Sequence, residues 1–184
     1  MSLPKWVNPV LQGLAYWIGY KKQLYPHSPL SEGAIIGETI NLIYSHLEKS
    51  QKLYCEYPYS KILNETSNSN RADLVITEND EVSIIIEVKR LEAGMKRVIA
   101  DFVKLSGENY TNSKLRRFVL LVCQQKIPKE FITENGDSQR GILRLSTLFF
   151  EDVNVRVTRT CKSTFSFKPN AIGKANYVCL IEVL

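Results

Sequence analysis

The sequence has few of the residues that disulfide-linked or zinc-binding domains depend on. It contains 4 cysteines and 2 histidines. No C-x-x-C pair is present and no histidine stands at a zinc-ligand spacing, so a structural zinc site is not expected. We expect the cysteines to be buried, reduced thiols, as is typical of a cytoplasmic protein. They are Cys55, Cys123, Cys161 and Cys179.

Long apolar runs are also missing. A membrane-spanning helix needs about 20 consecutive apolar residues, and no stretch approaches that length, so no membrane span is expected. The N-terminal stretch MSLPKWVNPV lacks a basic segment followed by a sustained apolar run, so no signal peptide is expected. With 184 residues, 44% of them hydrophobic and 23% charged, the chain is expected to form one globular domain with its own core.

Positive charge is unevenly distributed along the chain. The net charge is +5, and residues 1–113 have 12 Lys or Arg against 13 Asp or Glu, whereas residues 114–184 have 12 against 6. A basic C-terminal part suits a polyanion such as DNA or RNA, although many basic proteins bind neither. Two phenylalanines near the C-terminus fit either stacking on nucleic acid or the inward face of a strand. They are Phe165 and Phe167, among Arg156, Arg159, Lys162, Lys168 and Lys174.

The most informative stretch is a charged segment between residues 71 and 90. Residues 72–77 and 82–88 are rich in β-branched side chains and flank the polar segment ENDE, which predicts a β-hairpin. Alternation puts Glu87 and Lys89 on one face of the second strand. Apolar residues on both faces before Glu87 predict an interior strand, where an ion has to be paired or bound to a metal.

Asp73, on the first strand, is the third charged residue of interest. It shares a face with Glu87 if the loop has an odd length, for instance residues 79–81, or if a strand contains a bulge. An even loop puts it on the opposite face. Converging carboxylates suit Mg²⁺, and a neighbouring ammonium can orient water or stabilise charge on a phosphate. A glutamate and a lysine on one strand face also occur as an ordinary solvated ion pair.

The spacing of these residues resembles a known signature. Asp73, then thirteen residues, then Glu87-Val88-Lys89 is similar to the D-x(n)-E-x-K motif of the PD-(D/E)XK, or restriction-endonuclease-like, nuclease superfamily. Ala72 stands where the superfamily usually has proline. The resemblance extends over residues 31–123 and implies an α/β fold with an αβββαβ core, in which helices flank a mixed central sheet.

The rest of the sequence predicts elements in the order of that core. Asn8 as N-cap and Pro9 at the first helical position predict a helix to about Tyr20, and Ser31 as N-cap predicts a second helix to about Lys49. The other predicted elements are strands at 53–59, 116–123, 153–160 and 177–183, a helix at 93–105 and a short helix at 129–133. Residues 1–30 are interpreted as an N-terminal helical extension, 31–123 as the nuclease-like core, and 124–184 as a basic, strand-rich part of the same domain.

Two helices have acidic or basic residues that the resemblance brings into consideration. Glu38 borders the apolar stripe of the second helix, and the superfamily commonly has a glutamate there that completes the metal site. Glu32 is the alternative, but its favourable place at the helix N-terminus already explains it. On the 93–105 helix, Lys104 or Asp101 could assist at the site, although a solvated charged face is favoured for both.

The resemblance implies a Mg²⁺- or Mn²⁺-dependent nuclease that hydrolyses phosphodiester bonds, with DNA favoured as substrate and a homodimer as a common assembly. Asp73, Glu87 and Glu38 would hold the metal and Lys89 would assist catalysis. The alternatives are a nucleic-acid-binding protein of the same fold without catalysis, or a protein-interaction domain in which Glu87 and Lys89 only pair.

Overall fold

The computed structural model describes residues 3–28, 30–63, 69–107, 110, 112, 114–147, 150–163 and 175–184. Its elements, in chain order, are α1 (Val7–Leu24), α2 (Glu32–Tyr44), β1 (Gln51–Pro58), α3 (Tyr59–Leu63), β2 (Arg71–Glu78), β3 (Glu81–Arg90), α4 (Met95–Ser106), β4 (Arg116–Cys123), β5 (Leu143–Thr147), β6 (Phe150–Ser163) and β7 (Asn176–Val183). A short 3₁₀ turn, Leu91–Ala93, leads into α4. None of the described helices is long and apolar enough to cross a membrane.

The strands form one seven-stranded mixed sheet in the order β1-β2-β3-β4-β7-β6-β5. β3 and β4 are parallel, and the other neighbouring pairs are antiparallel. Parallel neighbours need a crossover connection, which α4 supplies between β3 and β4. The prediction of an α/β fold with a mixed central sheet flanked by helices is confirmed.

Helices cover the sheet on both sides, and each side has its own apolar cluster. α1 and α2 pack on one face and α4 packs on the other. The central strands β3 and β4 are therefore buried on both faces, which explains their continuous apolar runs. The α4 cluster includes Val75, Ile85, Val98, Phe102, Leu105 and Val119.

The β2–β3 hairpin combines a two-residue turn with a bulge. Asn79 and Asp80 have φ angles of 52° and 65°, as in the type I′ turns that suit hairpins. The register then shifts between Ile76 and Thr77, which leaves Ser83 without a partner of its own. An even loop alone would put Asp73 and Glu87 on opposite faces, and the bulge returns them to the same face. A bulge, one of the two ways in which Asp73 and Glu87 can share a face, is thus present.

The first helix begins earlier than predicted. α1 starts at Val7 after Trp6, so the prediction of Asn8 as N-cap is wrong. Trp6 is 2% exposed, and its carbonyl accepts a hydrogen bond from Val10. Pro9 is accommodated because it still lies in the first turn, where backbone N–H groups have no helical partner.

Other boundaries also differ from the predictions. α2 has Ser31 as its N-cap, as predicted, but ends at Tyr44 instead of Lys49. Its end is marked by the side chains of Ser45 and His46, which both bond to the carbonyl of Leu42. The predicted helix at 129–133 is a turn. β5 was not predicted, because a strand of five residues gives little periodic signal.

The cysteines and the basic C-terminal residues are placed as follows. All four cysteines are free, but only Cys123 and Cys179 are buried, and Cys55 is exposed. The basic residues of β6 are Arg156, Arg159 and Lys162, all exposed. The two phenylalanines and remaining lysines of that pattern lie outside the described residues, and they are Phe165, Phe167, Lys168 and Lys174.

The turn conformation gives a stability prediction. Replacing Asn79 by valine should lower the free energy of unfolding by about 1–2 kcal/mol, because a β-branched residue is strained at positive φ. The matched control Asn79→Gly should stay within about 0.5 kcal/mol of the parent, since glycine adopts this conformation without strain. Urea denaturation of the three proteins measures both effects. Equal stabilities of the valine and glycine variants would contradict the assigned turn.

Candidate functional site

Asp73 is tied to the neighbouring strand by its side chain. Its Oδ2 accepts a hydrogen bond of 2.7 Å from the backbone N–H of Val88 on β3. The register pairs Leu74 with Ile86, so one residue further along Asp73 lies opposite Glu87 on the face that α4 covers. Of the two arrangements that the sequence left open, this register is the one in which the two acids share a face.

Glu87 is a buried acid with two donors on one oxygen. Its residue surface is 2% exposed. Its Oε1 accepts hydrogen bonds of 2.8 Å from the hydroxyl of Tyr59 and 2.8 Å from Nζ of Lys104. Burial is the main reason that the pKa of Glu87 rises to about 7; Lys104 opposes this rise and the charge of Asp73 adds to it. Glu87 is therefore poised to gain or lose a proton near neutral pH.

Lys104, on α4, is held in place by three groups. Besides Glu87, its Nζ donates to the carbonyl of Arg71 at 3.2 Å and lies 4.4 Å from the ring centroid of Tyr59. The apolar side of α4 packs on the sheet, and Lys104 reaches from its edge toward the polar positions of β3. The prediction that Lys104 lies on a solvated face of the helix is therefore wrong, since its side chain is only 28% exposed.

Lys89 forms a second group of charges with two acids. Its Nζ lies 3.2 Å from Oε1 of Glu32 and 3.5 Å from Oδ2 of Asp101. Burial lowers the pKa of Lys89, but the charges of Asp101, Glu32 and Asp73 outweigh this effect and raise it above its usual value. Lys89 therefore keeps its positive charge at neutral pH.

Asp101 is half-buried on α4 and faces Lys89. Its side chain is 13% exposed, so the expectation of a solvated position was wrong for this residue too. Burial raises the pKa of Asp101 despite the nearby charges of Lys89 and Lys104. Although Lys89 is within ion-pair distance, Oδ2 of Asp101 makes no hydrogen bond with any described residue. The ammonium of Lys89, at 3.5 Å, is therefore the charge that compensates this oxygen.

Asp73, Glu87, Lys89, Asp101 and Lys104 form a charged cluster. The structure brings Glu32, and not Glu38, into contact with this cluster. Glu38 is half-buried on α2 and has no hydrogen bond or ion pair to any described residue. Six residues of an ideal helix span about 9 Å and turn the side chain by about 120° relative to Glu32. A role of Glu38 in metal binding stays a prediction without a supporting contact.

Tyr59 is a site residue that the sequence did not indicate. It directly follows β1, whose Pro58 pairs with Arg71 on β2, so the first turn of α3 lies beside the hairpin. Burial and the neighbouring Glu87 raise the pKa of Tyr59, which keeps its hydroxyl protonated as a donor. No spacing or motif distinguishes Tyr59 from the nearby Tyr54 and Tyr57.

Asp73 and Glu87 are the two residues of the charged cluster whose donor atoms suit a magnesium ion. The described residues contain no group of three or more His, Cys, Asp or Glu that could hold a metal by itself. Asp73 and Glu87 offer hard carboxylate oxygens on one face, and both hydrogen bonds to Glu87 use Oε1 and not Oε2. Magnesium is commonly held by one or two carboxylates, with water and phosphate oxygens completing its coordination.

Comparisons with protein-family models, with curated proteins and with solved structures found no match for this chain. The functional interpretation of the cluster therefore depends on its own residues and geometry.

The raised pKa of Glu87 predicts a pH-dependent stability. An unfolded glutamate releases its proton near pH 4.5, whereas folded Glu87 keeps it to about pH 7. Its contribution is complete below pH 4.5 and is lost as the pH rises through 7, which amounts to about 3 kcal/mol. Glu87→Gln should remove this decline, as urea denaturation at several pH values would measure. Parallel pH curves for parent and variant would contradict the assignment.

Proposed function

We propose that this chain is a metal-dependent nuclease that hydrolyses phosphodiester bonds, with DNA as its favoured substrate. The observation that carries the proposal is the convergence of Asp73 and Glu87 on one face of a hairpin, with Lys89 following on the same strand face. Two carboxylates and an ammonium supply the charges that phosphodiester hydrolysis needs.

The order of elements also supports a restriction-endonuclease-like core. From α2 to β4 the chain follows the order helix, three strands, helix and strand, with the short α3 inserted after β1. The three strands are antiparallel neighbours, and the fourth pairs in parallel with the third. This is the αβββαβ order to which the motif belongs in the superfamily that the sequence resembles.

Each residue of the cluster has a chemical role in this proposal. Asp73 and Glu87 would hold Mg²⁺ or Mn²⁺, which makes a bound water a better nucleophile and offsets phosphate charge. Lys89, fixed by Asp101 and Glu32, would present a permanent positive charge to the phosphate. Lys104 and Tyr59 hold Oε1 of Glu87, so that Oε2 is left for the metal.

A second function, nucleic-acid binding or protein interaction without catalysis, is favoured by one observation. Each lysine of the cluster already has an acidic partner, with Lys104 on Glu87 and Lys89 on Glu32 and Asp101. A closed set of ion pairs can serve only to stabilise the fold. This alternative predicts that DNA is bound without being cut at any divalent-metal concentration, or is not bound.

Cleavage of plasmid and linear DNA in Mg²⁺ or Mn²⁺ tests the two functions. The parent should cut DNA and be inhibited by a chelator, and Asp73→Asn and Lys89→Met should each reduce the rate about 100-fold or more. The control Asp80→Asn removes an exposed acid from the turn of the same hairpin, outside the cluster, and should cut like the parent. Thermal denaturation checks that all variants are folded.

Two results would count against the nuclease. A folded Asp73→Asn or Lys89→Met variant that cuts as fast as the parent would show that the activity arises elsewhere. Metal-independent binding of DNA by the parent, with no cutting of any substrate, would favour the non-catalytic alternative.

A further inference from the structure

A groove of about 460 Å³ opens on the α4 side of the sheet, beyond the ends of β3 and β4. Three apolar side chains of the described residues line it, and two of them are Leu91, in the turn after β3, and Met95, the first residue of α4. The third, Ile127, belongs to the segment after β4. All three also pack against the apolar cluster beneath α4, so the floor of the groove is anchored in the core.

Basic side chains outnumber acidic ones at and beside the mouth of the groove. Lys126 and Lys129 line it and are exposed, and Glu130 is the acid among the lining residues. Beside the groove, Lys96 and Arg97 in the first turn of α4 are exposed, and so is the acid Glu92 between Leu91 and Met95. An apolar floor with a cationic rim suits a nucleotide, because a base or sugar can lie on the floor while the phosphates meet the lysines.

The groove adjoins the charged cluster along two elements. Lys89 lies near the end of β3, and Leu91 follows it by two residues, just after the strand. Along α4, Met95 is six residues from Asp101, the partner of Lys89, and this separation is about 9 Å of helix. That distance corresponds to roughly three base pairs of duplex DNA, so one backbone could reach both places.

We propose that this groove binds the phosphodiester backbone of the nucleic acid a few nucleotides away from the bond that the cluster acts on. The inference rests on the proposed nuclease function, and it assigns DNA recognition to Lys126 and Lys129 instead of the basic residues of β6. Arg156 and Arg159 pair with Glu182 and Leu180 on β7 and lie on the sheet face that α1 and α2 cover, opposite the groove.

Salt-dependent binding of a fluorescent DNA duplex of mixed sequence tests this assignment. Measurements in a chelator prevent cutting and separate binding from catalysis. Lys126→Ala/Lys129→Ala should bind roughly tenfold more weakly at about 0.1 M salt and lower the slope of log affinity against log salt by about 2. The charge-matched control Arg156→Ala/Arg159→Ala should retain the affinity and slope of the parent. Lys126→Gln/Lys129→Gln repeats the test with side chains of similar length.

Each outcome separates the groove from the activity. Unchanged binding by the lysine variants, or an equal loss in the arginine control, would overturn the groove assignment even if the parent cuts DNA. Lysine-dependent binding by a parent that never cuts DNA would support the groove while the nuclease proposal fails. Displacement of the DNA by poly-glutamate at equal charge concentration would indicate a surface for acidic proteins and overturn the assignment.

Discussion

The charge of a carboxylate in the interior of a sheet has to be compensated. The packing of the elements around Glu87 depends on how its charge is compensated. Transfer of an unpaired carboxylate out of water is costly enough that the group takes up a proton or finds partners. Glu87 does both in part, with a pKa of about 7 and two donors on one oxygen. Those donors come from α3 and α4, so the charge at Glu87 ties two helices to the hairpin.

The two lysines of the cluster form ion pairs with different acids. Lys104 is held against Glu87, Arg71 and the ring of Tyr59, and Lys89 is held between Glu32 and Asp101. In the proposed function, ammonium groups fixed in this way would need little reorganisation when a phosphate binds. Oδ2 of Asp101 is compensated by the ammonium of Lys89 at 3.5 Å, although it makes no hydrogen bond with any described residue.

How well the sequence predicts a contact depends on how far apart along the chain the interacting residues lie. Alternation within one strand put Glu87 and Lys89 on the same face, and the apolar runs indicated a buried β3 and β4. The register of Asp73 needed the bulge at Ser83, for which the local sequence offers no clear signal. Contacts between different helices and strands are harder still to predict from the sequence.

The lysine and acids contributed by helices illustrate that difficulty. Asp101 and Lys104 have the spacing of an ordinary solvated helix face, and only the packing of α4 on β3 shows that they reach the cluster. Glu32 has a sufficient local explanation at the N-terminus of α2, and Glu38 was therefore favoured as the metal ligand on this helix. A side chain can satisfy a local rule and a distant contact together, and the sequence displays only the first.

The cluster assembles residues that are far apart along the chain, and this has a consequence for folding. Glu32 and Lys89 are separated by 57 residues and Tyr59 and Glu87 by 28. Contacts between distant residues form slowly, because loop closure costs entropy before it is rewarded, and a parallel pair such as β3 and β4 adds a crossover. The hairpin can form early, but Glu87 and Lys89 meet Lys104, Asp101 and Glu32 only when α2 and α4 have docked. An isolated hairpin peptide would contain the motif without the site.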